Sequence, residues 1–134
     1  MIYAVIDTNV LVSALFTRNT EAATVKVVEA MLCGVIVPLL DNEIIEEYID
    51  VLNRPKFNFS KKLIRQFIEA IKLKGIMTMR VHSQEKFTDL KDVVFYEVAM
   101  SKENAYLVTG NTKHFPKTSI VVTPAEMVRI IEDV

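Results

Sequence analysis

Short apolar runs alternate along the chain with segments in which apolar residues recur at helical spacing. The short runs are rich in β-branched residues, which is typical of strands buried in a parallel sheet. They predict strands over residues 2–6, 35–39, 76–81, 105–109 and 119–122. Helical spacing predicts helices over residues 9–15, 21–32, 42–52, 61–74, 92–101 and 124–132, with a loop over 83–91. Thr78 and Arg80 alternate with apolar residues in the third strand, which indicates an exposed sheet edge.

Residues at the predicted helix ends support these boundaries. Gly34 and Gly75 suit helix C-termini, Ser60 and Asp92 suit N-caps, and Pro124 suits a first helical turn. Strands that alternate with helices imply a mostly parallel sheet with helices on both faces. The sequence therefore predicts an α/β fold: one three-layer α/β/α domain spanning residues 1–134, with about five strands.

Composition narrows the class of protein. Hydrophobic residues make up 51% of the 134 residues and charged residues 25%, as in globular proteins. No apolar run is long enough for a membrane span, and the N-terminus has no signal-peptide pattern. The single cysteine, Cys33, cannot form an internal disulfide, and its apolar helical surroundings predict a core position. We therefore expect a cytoplasmic protein.

Charge is unevenly distributed although the net charge is only −1. All charged residues between Val35 and Asn53 are acidic, whereas Arg54–Arg80 contains eight basic residues and one acidic residue. An acidic centre beside a basic surface is what binding of a metal ion and a polyanion would need. A solvated basic helix face is the alternative explanation of the basic block, and charge alone does not favour nucleic-acid binding over it.

Three predicted elements bring polar side chains to one edge of the sheet. Asp7 follows the first strand, and Asn111 follows the strand over 105–109. Because parallel strands share their direction, both residues should lie at the carboxyl edge, where ligands bind in such sheets. Asp92 should begin a helix at the same edge, although helix capping alone could explain it. A buried Asp7 costs several kcal/mol unless it is paired or binds a cation.

The helix over 42–52, capped by Asp41 or Asn42, carries an acidic face. Its four acids fall in one stripe with no basic neighbour four positions on: Glu43, Glu46, Glu47 and Asp50. Like charges at this spacing repel, so a nearby cation would explain the arrangement. A solvated amphipathic helix is the alternative. One of these acids can join Asp7, Asp92 and Asn111, and such oxygen ligands suit Mg²⁺ or Mn²⁺ rather than zinc.

Four segments together resemble PIN-domain (PilT N-terminus) ribonucleases, including VapC-type toxins. Residues 6–12, Ile-Asp-Thr-Asn-Val-Leu-Val, resemble the opening of that family. Residues 43–57 resemble its acid-bearing helix and, through Arg-Pro-Lys-Phe, one subgroup of its toxins. Residues 92–99 and 106–111 resemble its Asp-led helix and closing strand, in the family's order. The resemblance covers nearly the whole chain.

This resemblance implies roles for individual residues. It assigns Asp7, Glu47 and Asp92 as ligands of Mg²⁺ or Mn²⁺, with Glu43 or Glu46 as alternatives to Glu47. Asn111 joins the catalytic group where many members have a fourth aspartate, and an amide brings no charge. Three carboxylates favour one metal ion over two. Asn9 and Thr109 are expected to hydrogen-bond to the ligands.

The implied activity is metal-dependent hydrolysis of phosphodiester bonds in single-stranded RNA, leaving a 5′-phosphate and a 3′-hydroxyl. The resemblance further implies a toxin of a toxin–antitoxin pair, an antitoxin protein encoded nearby, and a homodimer. Six residues are expected to contact RNA: Arg54, Lys56, Lys61, Lys62, Lys113 and His114.

Two other functions would use a similar fold. A receiver-like signalling domain also gathers acids around Mg²⁺, but its acidic pair precedes the end of the first strand, whereas Asp7 follows it here. A PIN-fold module that binds nucleic acid or a partner without cleaving it fits the missing fourth acid.

Overall fold

The computed structural model describes residues 1–87 and 89–134; Thr88, in the predicted loop over 83–91, lies outside the described residues. The strands of the described part are β1 (Ile2–Ile6), β2 (Ile36–Leu40), β3 (Ile76–Met77), β4 (Tyr106–Val108) and β5 (Val121–Val122). Its α-helices are α1 (Thr8–Phe16), α2 (Ala23–Leu32), α3 (Asn42–Leu52), α4 (Lys61–Lys74), α5 (Leu90–Met100) and α6 (Pro124–Glu132). Short 3₁₀ helices span Pro55–Phe57 and Thr112–His114.

The strands form one parallel sheet in the order β3-β2-β1-β4-β5. Ala4, Val5 and Ile6 in the central strand are all fully buried. Because successive side chains of a strand point to opposite faces, both faces of the sheet must be covered. Helix α5 contacts β1, β2 and β4, and α2 contacts β2 together with α1, α4 and α6. The predicted α/β fold with a five-stranded sheet is confirmed.

Local capping explains α4 and α6, two of the three helices whose bounds match their predictions. The Ser60 side chain accepts a hydrogen bond from the Leu63 N–H at the start of α4. At the start of α6, Thr123 and Glu126 form a reciprocal capping box. Gly75 then lets β3 approach β2, since a Cβ there would lie 2.6 Å from Leu40 Cδ1. Within the described residues, no helix has the length and apolar character needed to cross a bilayer.

The third strand is shorter than predicted. β3 ends at Met77, after which the Thr78 N–H donates to the Leu40 carbonyl as the last ladder contact. Arg80 instead bonds to Glu97 on α5, at 2.7 Å, and this ion pair directs the chain away from the sheet. The edge position of β3 is as expected, but a strand over 76–81 is wrong.

Two other predictions are wrong at single residues. Asp89 rather than Asp92 caps α5, and its side chain accepts a hydrogen bond from the Lys91 N–H. Asp92 lies in the first turn, so capping does not occupy its carboxylate. Cys33 is exposed, because α2 ends at Leu32 and the chain then turns through Gly34 at a φ of +89°.

Candidate active site

A cavity of about 590 Å³ opens at the carboxyl edge of the sheet. The four residues predicted to converge all line it: Asp7 after β1, Glu47 on α3, Asp92 on α5 and Asn111 after β4. Parallel pairing places Ile6 opposite Val108, which brings the ends of β1 and β4 side by side. The sheet topology therefore explains why residues more than a hundred positions apart share this cavity.

Asp7 is anchored by the end of β4 and by the first turn of α1. Its backbone N–H donates to the Val108 carbonyl at 2.9 Å. Its Oδ2 accepts hydrogen bonds from Thr109 Oγ1 at 2.7 Å and from Asn9 Nδ2 at 3.3 Å. Burial raises the pKa of Asp7, although both hydrogen bonds act to lower it. The carboxylate is thus held in a fixed position in a poorly solvated environment.

The loop after β4 is tied to the same carboxylate. Thr109 Oγ1 accepts the Asn111 N–H at 3.0 Å while it donates to Asp7. Asn9 Oδ1 accepts the Gly110 N–H at 3.1 Å while its amide donates to Asp7. Asn9 and Thr109 therefore connect Asp7 to the residues that carry Asn111 to the cavity.

Asp92 has an unpartnered oxygen. Its Oδ2 is buried without a hydrogen-bond partner in the structure. His114 Nδ1 lies 3.6 Å from that atom, which is beyond hydrogen-bond distance. Burial, together with the charges of Asp7 and Asp89, raises the pKa of Asp92 to about 6. A buried oxygen of this kind is expected to bind a cation, a proton or water.

Glu47 is the acid of α3 that faces the cavity. It is half-buried, and burial raises its pKa, with Lys91 and Arg54 opposing that effect. The next residue, Tyr48, is fully buried and donates a hydrogen bond from its hydroxyl to the Ile6 carbonyl. This bond attaches α3 to the end of β1. The helix that carries Glu47 is therefore held against the strand that ends just before Asp7.

The other acids of α3 have different surroundings. Glu43 Oε2 lies 3.1 Å from Arg80 Nη1, and Asp50 pairs with Arg54 at 3.5 Å. Glu46 is exposed and does not line the cavity. The expectation that no acid of this face has a basic neighbour four positions on is therefore wrong. Arg54 is four positions after Asp50 and pairs with it. Glu47, unlike Glu43 and Glu46, lines the cavity together with Asp7.

A PIN domain model matches residues 3–113 of the chain. The chain belongs to the PIN domain family. PIN domains are generally nucleases, which agrees with an acidic cavity at the carboxyl edge of a parallel sheet. A search of curated proteins finds no significant match to this sequence.

Only some of the basic residues predicted to contact RNA reach the cavity of this PIN domain. Arg54, Lys56 and His114 line it. Lys61 and Lys113 line two other cavities, and Lys62 is exposed on α4. Arg80, part of the basic block, is held by Glu97 and Glu43 instead.

The cavity of the PIN domain also contains residues that the sequence did not indicate as functional. Thr8 Oγ1 is buried without a hydrogen-bond partner and lines the cavity beside Asp7. Phe16 and Phe57 line it on the side of Arg54 and Lys56. The Arg-Pro-Lys-Phe segment carried a signal for Phe57, whereas Phe16 looked like an ordinary apolar residue at a helix end.

The donor set of this PIN domain suits a hard divalent cation. Asp7, Glu47 and Asp92 offer carboxylate oxygens, and the unpartnered Oδ2 of Asp92 needs a partner. Within residues 1–87 and 89–134, however, no group of three or more acidic, histidine or cysteine side chains stands ready to hold an ion. Mg²⁺ is usually bound through one or two carboxylates and keeps several waters, so these residues fit it without such a group.

Proposed function

We propose that this PIN domain is a metal-dependent endoribonuclease that hydrolyses phosphodiester bonds in single-stranded RNA. The observation that carries the proposal is the convergence of Asp7, Glu47 and Asp92 on one cavity of a PIN domain. The oxygen of Asp92 without a hydrogen-bond partner supports it, because a structural role such as a helix cap would have given that atom a hydrogen bond. Raised pKa values at all three acids are typical of functional sites.

The residues of the candidate site divide into metal ligands and residues that orient them. Asp7, Glu47 and Asp92 would hold Mg²⁺ or Mn²⁺. When bound, the cation supplies an activated water and stabilises charge on the phosphoryl group. Asn9 and Thr109 orient the Asp7 carboxylate through their hydrogen bonds to Oδ2. Asn111 adds an uncharged amide at the cavity wall, which favours a single metal ion.

Substrate binding is assigned to the basic residues near the cavity. Arg54, Lys56 and His114 line it and would contact the RNA backbone, with Lys61, Lys62 and Lys113 as more distant contacts. The products would be a 5′-phosphate and a 3′-hydroxyl. By its resemblance to VapC-type proteins, the chain would act in the cytoplasm as the toxin of a toxin–antitoxin pair. It would then form a homodimer and bind an antitoxin encoded nearby.

A second candidate function is a PIN module that binds RNA or a partner protein without cleaving RNA. Asn111 favours it, because an amide replaces the negative charge expected at that position.

Cleavage of labelled single-stranded RNA in Mn²⁺ separates the two functions. The purified protein should cleave this RNA, and EDTA should abolish the cleavage. Asp7→Asn, Glu47→Gln and Asp92→Asn should each lower the rate by more than about 100-fold, since loss of mere ligand-orienting partners already costs about 10–100-fold. Glu46→Gln is the matched control on α3 and should leave the rate unchanged.

Absence of metal-dependent cleavage by the unmodified protein would contradict the nuclease proposal and favour the binding module. Cleavage that survives both Asp7→Asn and Asp92→Asn would point to a contaminating ribonuclease. Equal losses in Glu46→Gln and Glu47→Gln would contradict the assignment on α3.

A further inference from the structure

Three phenylalanines form an aromatic cluster at the end of α1. The Phe16 ring meets the rings of Phe57 and Phe59 edge-on, with centroids 6.3 and 6.2 Å away. Phe57 and Phe59 stack at 5.7 Å with an interplanar angle of 16°. Phe16 is nevertheless 61% exposed, so its support by two rings leaves much of it open to solvent. We call Phe16, Phe57 and Phe59 the phenylalanine cluster.

The phenylalanine cluster belongs to the wall of the acidic cavity. Phe16 and Phe57 line the same 590 Å³ space as Asp7 and Asp92. The acids come from the sheet edge and from α3 and α5, whereas the cluster comes from the end of α1 and from the segment after α3. A ligand that reaches the carboxylates from this side must therefore pass an aromatic surface.

Positive charge accompanies the rings. Lys56 Nζ lies 5.1 Å from the centroid of the Phe57 ring, and Arg54 lines the cavity next to it. Arg54 pairs with Asp50 at 3.5 Å, but both side chains are exposed, and such pairs contribute little. Arg54 can therefore exchange its partner for a phosphate. Exposed aromatic rings beside basic residues are how proteins bind single-stranded nucleic acids, through stacked bases and paired phosphates.

We propose that the phenylalanine cluster is a nucleobase-stacking subsite, in which Phe16 supports the face of one unpaired base. Lys56 and Arg54 bind the phosphates on either side of that nucleotide. This inference rests on the proposed function, because it names how the substrate of the same cavity is held. Every base has a face that can stack, so the subsite selects unpaired nucleotides over duplex rather than one base over another.

Binding of short RNA in EDTA tests the subsite without cleavage. Two labelled octamers are compared by fluorescence anisotropy: a single-stranded RNA, and the same ribose-phosphate chain without bases. Phe16→Leu should weaken binding of the RNA by about 5- to 150-fold, the usual effect of losing one stacked base. It should leave the base-free chain unaffected. Phe16→Tyr, which keeps the ring, should bind RNA within about twofold of the unmodified protein.

Leu73→Ala is the matched control, because Leu73 is exposed on α4 and does not line the cavity. The subsite is contradicted if Phe16→Leu binds the RNA normally, if it weakens both octamers equally, or if the unmodified protein binds neither octamer. A second copy of this chain could cover the cluster instead. Sedimentation would then show Phe16→Leu dissociating a dimer while RNA binding is unchanged, which also contradicts the subsite.

The two proposals fail separately. Metal-dependent cleavage with a normal Michaelis constant in Phe16→Leu would retain the nuclease and remove the subsite. Base-dependent binding without cleavage in Mn²⁺ would retain the subsite and remove the nuclease.

Discussion

At the scale of single residues, Thr109 connects Asp7 to the loop that carries Asn111. Its side chain is fully buried, donates to Asp7 Oδ2 and accepts the Asn111 N–H. Burying a carboxylate is costly unless its oxygens are hydrogen-bonded, so Thr109 helps the fold to tolerate Asp7. The residue thus has both a structural part and a part in orienting the proposed metal ligand.

Replacing Thr109 by valine keeps its shape and removes only the hydroxyl. Thr109→Val should cost about 1–3 kcal/mol of stability, because it removes the shorter of the two hydrogen bonds to Asp7 Oδ2 and leaves the Asn111 N–H unpaired. It should also slow cleavage by about 10–100-fold, as loss of a ligand's orienting partner does. Urea unfolding and cleavage rates measure the two effects. Thr109→Ser retains the hydroxyl and is the matched control; equal behaviour of the two variants would refute this role.

At the scale of elements, the segment after β3 is held by an ion pair rather than by the sheet. Glu97 on α5 is buried, and it accepts hydrogen bonds from Arg80 Nη2 and from the Ser83 N–H, both at 2.7 Å. Burial alone would raise the pKa of Glu97, but the Ser83 N–H and the Arg80 guanidinium outweigh it and lower the pKa below its usual value. Glu97 therefore stabilises the fold only while it is ionised.

The pH dependence of unfolding tests this ion pair. A lowered folded-state pKa means that the stabilisation is fully present above the unfolded-state pKa of about 4.3 and disappears as the pH falls through the folded value. Glu97→Gln should cost about 1.5–3 kcal/mol near neutral pH and less near pH 3, which lies below the unfolded-state pKa. Urea unfolding at both values measures this. Glu43→Gln, at the exposed end of the same arginine, should cost under about 1 kcal/mol. A loss for Glu97→Gln that is independent of pH would contradict the argument.

Local signals made some elements predictable and left others open. Ser60 and Pro124 mark helix starts by themselves, so α4 and α6 have their predicted bounds. Asp89 and Asp92 are both suitable caps for α5, and the sequence alone does not distinguish them. The length of β3 depends on Arg80 meeting a glutamate on α5, a contact between distant segments that no periodicity reports.

The candidate site was also predictable only in part, because some of its residues are placed by the sheet and others by tertiary packing. Parallel strands place Asp7 and Asn111 at one edge whatever the details of packing, and the structure has them in one cavity. The choice among the acids of α3 needed the position of the helix against the sheet, which the Tyr48 hydrogen bond to Ile6 helps to set. The aromatic wall required α1 and the segment after α3 to meet, which is a tertiary event.

At the scale of the whole molecule, three elements bring acids together that repel one another. Asp7 raises the pKa of both Glu47 and Asp92, in each case in addition to the effect of burial. Without a cation, this convergence destabilises the folded protein, and such a cost is common where a site is built for function. Removal of one charge should therefore make the metal-free protein more stable while it removes activity.

Asp92→Asn tests this trade between stability and function. The pKa of Asp92 is raised to about 6, so its ionised form opposes folding above that pH, and the folded protein regains stability as the pH falls and Asp92 takes up a proton. In EDTA near pH 7.5, Asp92→Asn should be more stable than the unmodified protein by up to about 3 kcal/mol, and the difference should shrink near pH 5. Thermal unfolding at the two pH values measures both differences in stability.

Mn²⁺ should raise the Tm of the unmodified protein more than that of the variant, because only the former keeps all three carboxylates. Glu46→Gln, which removes an exposed charge outside the cavity, should show neither effect. A variant less stable than the unmodified protein in EDTA would mean that Asp92 supports the fold rather than a bound cation.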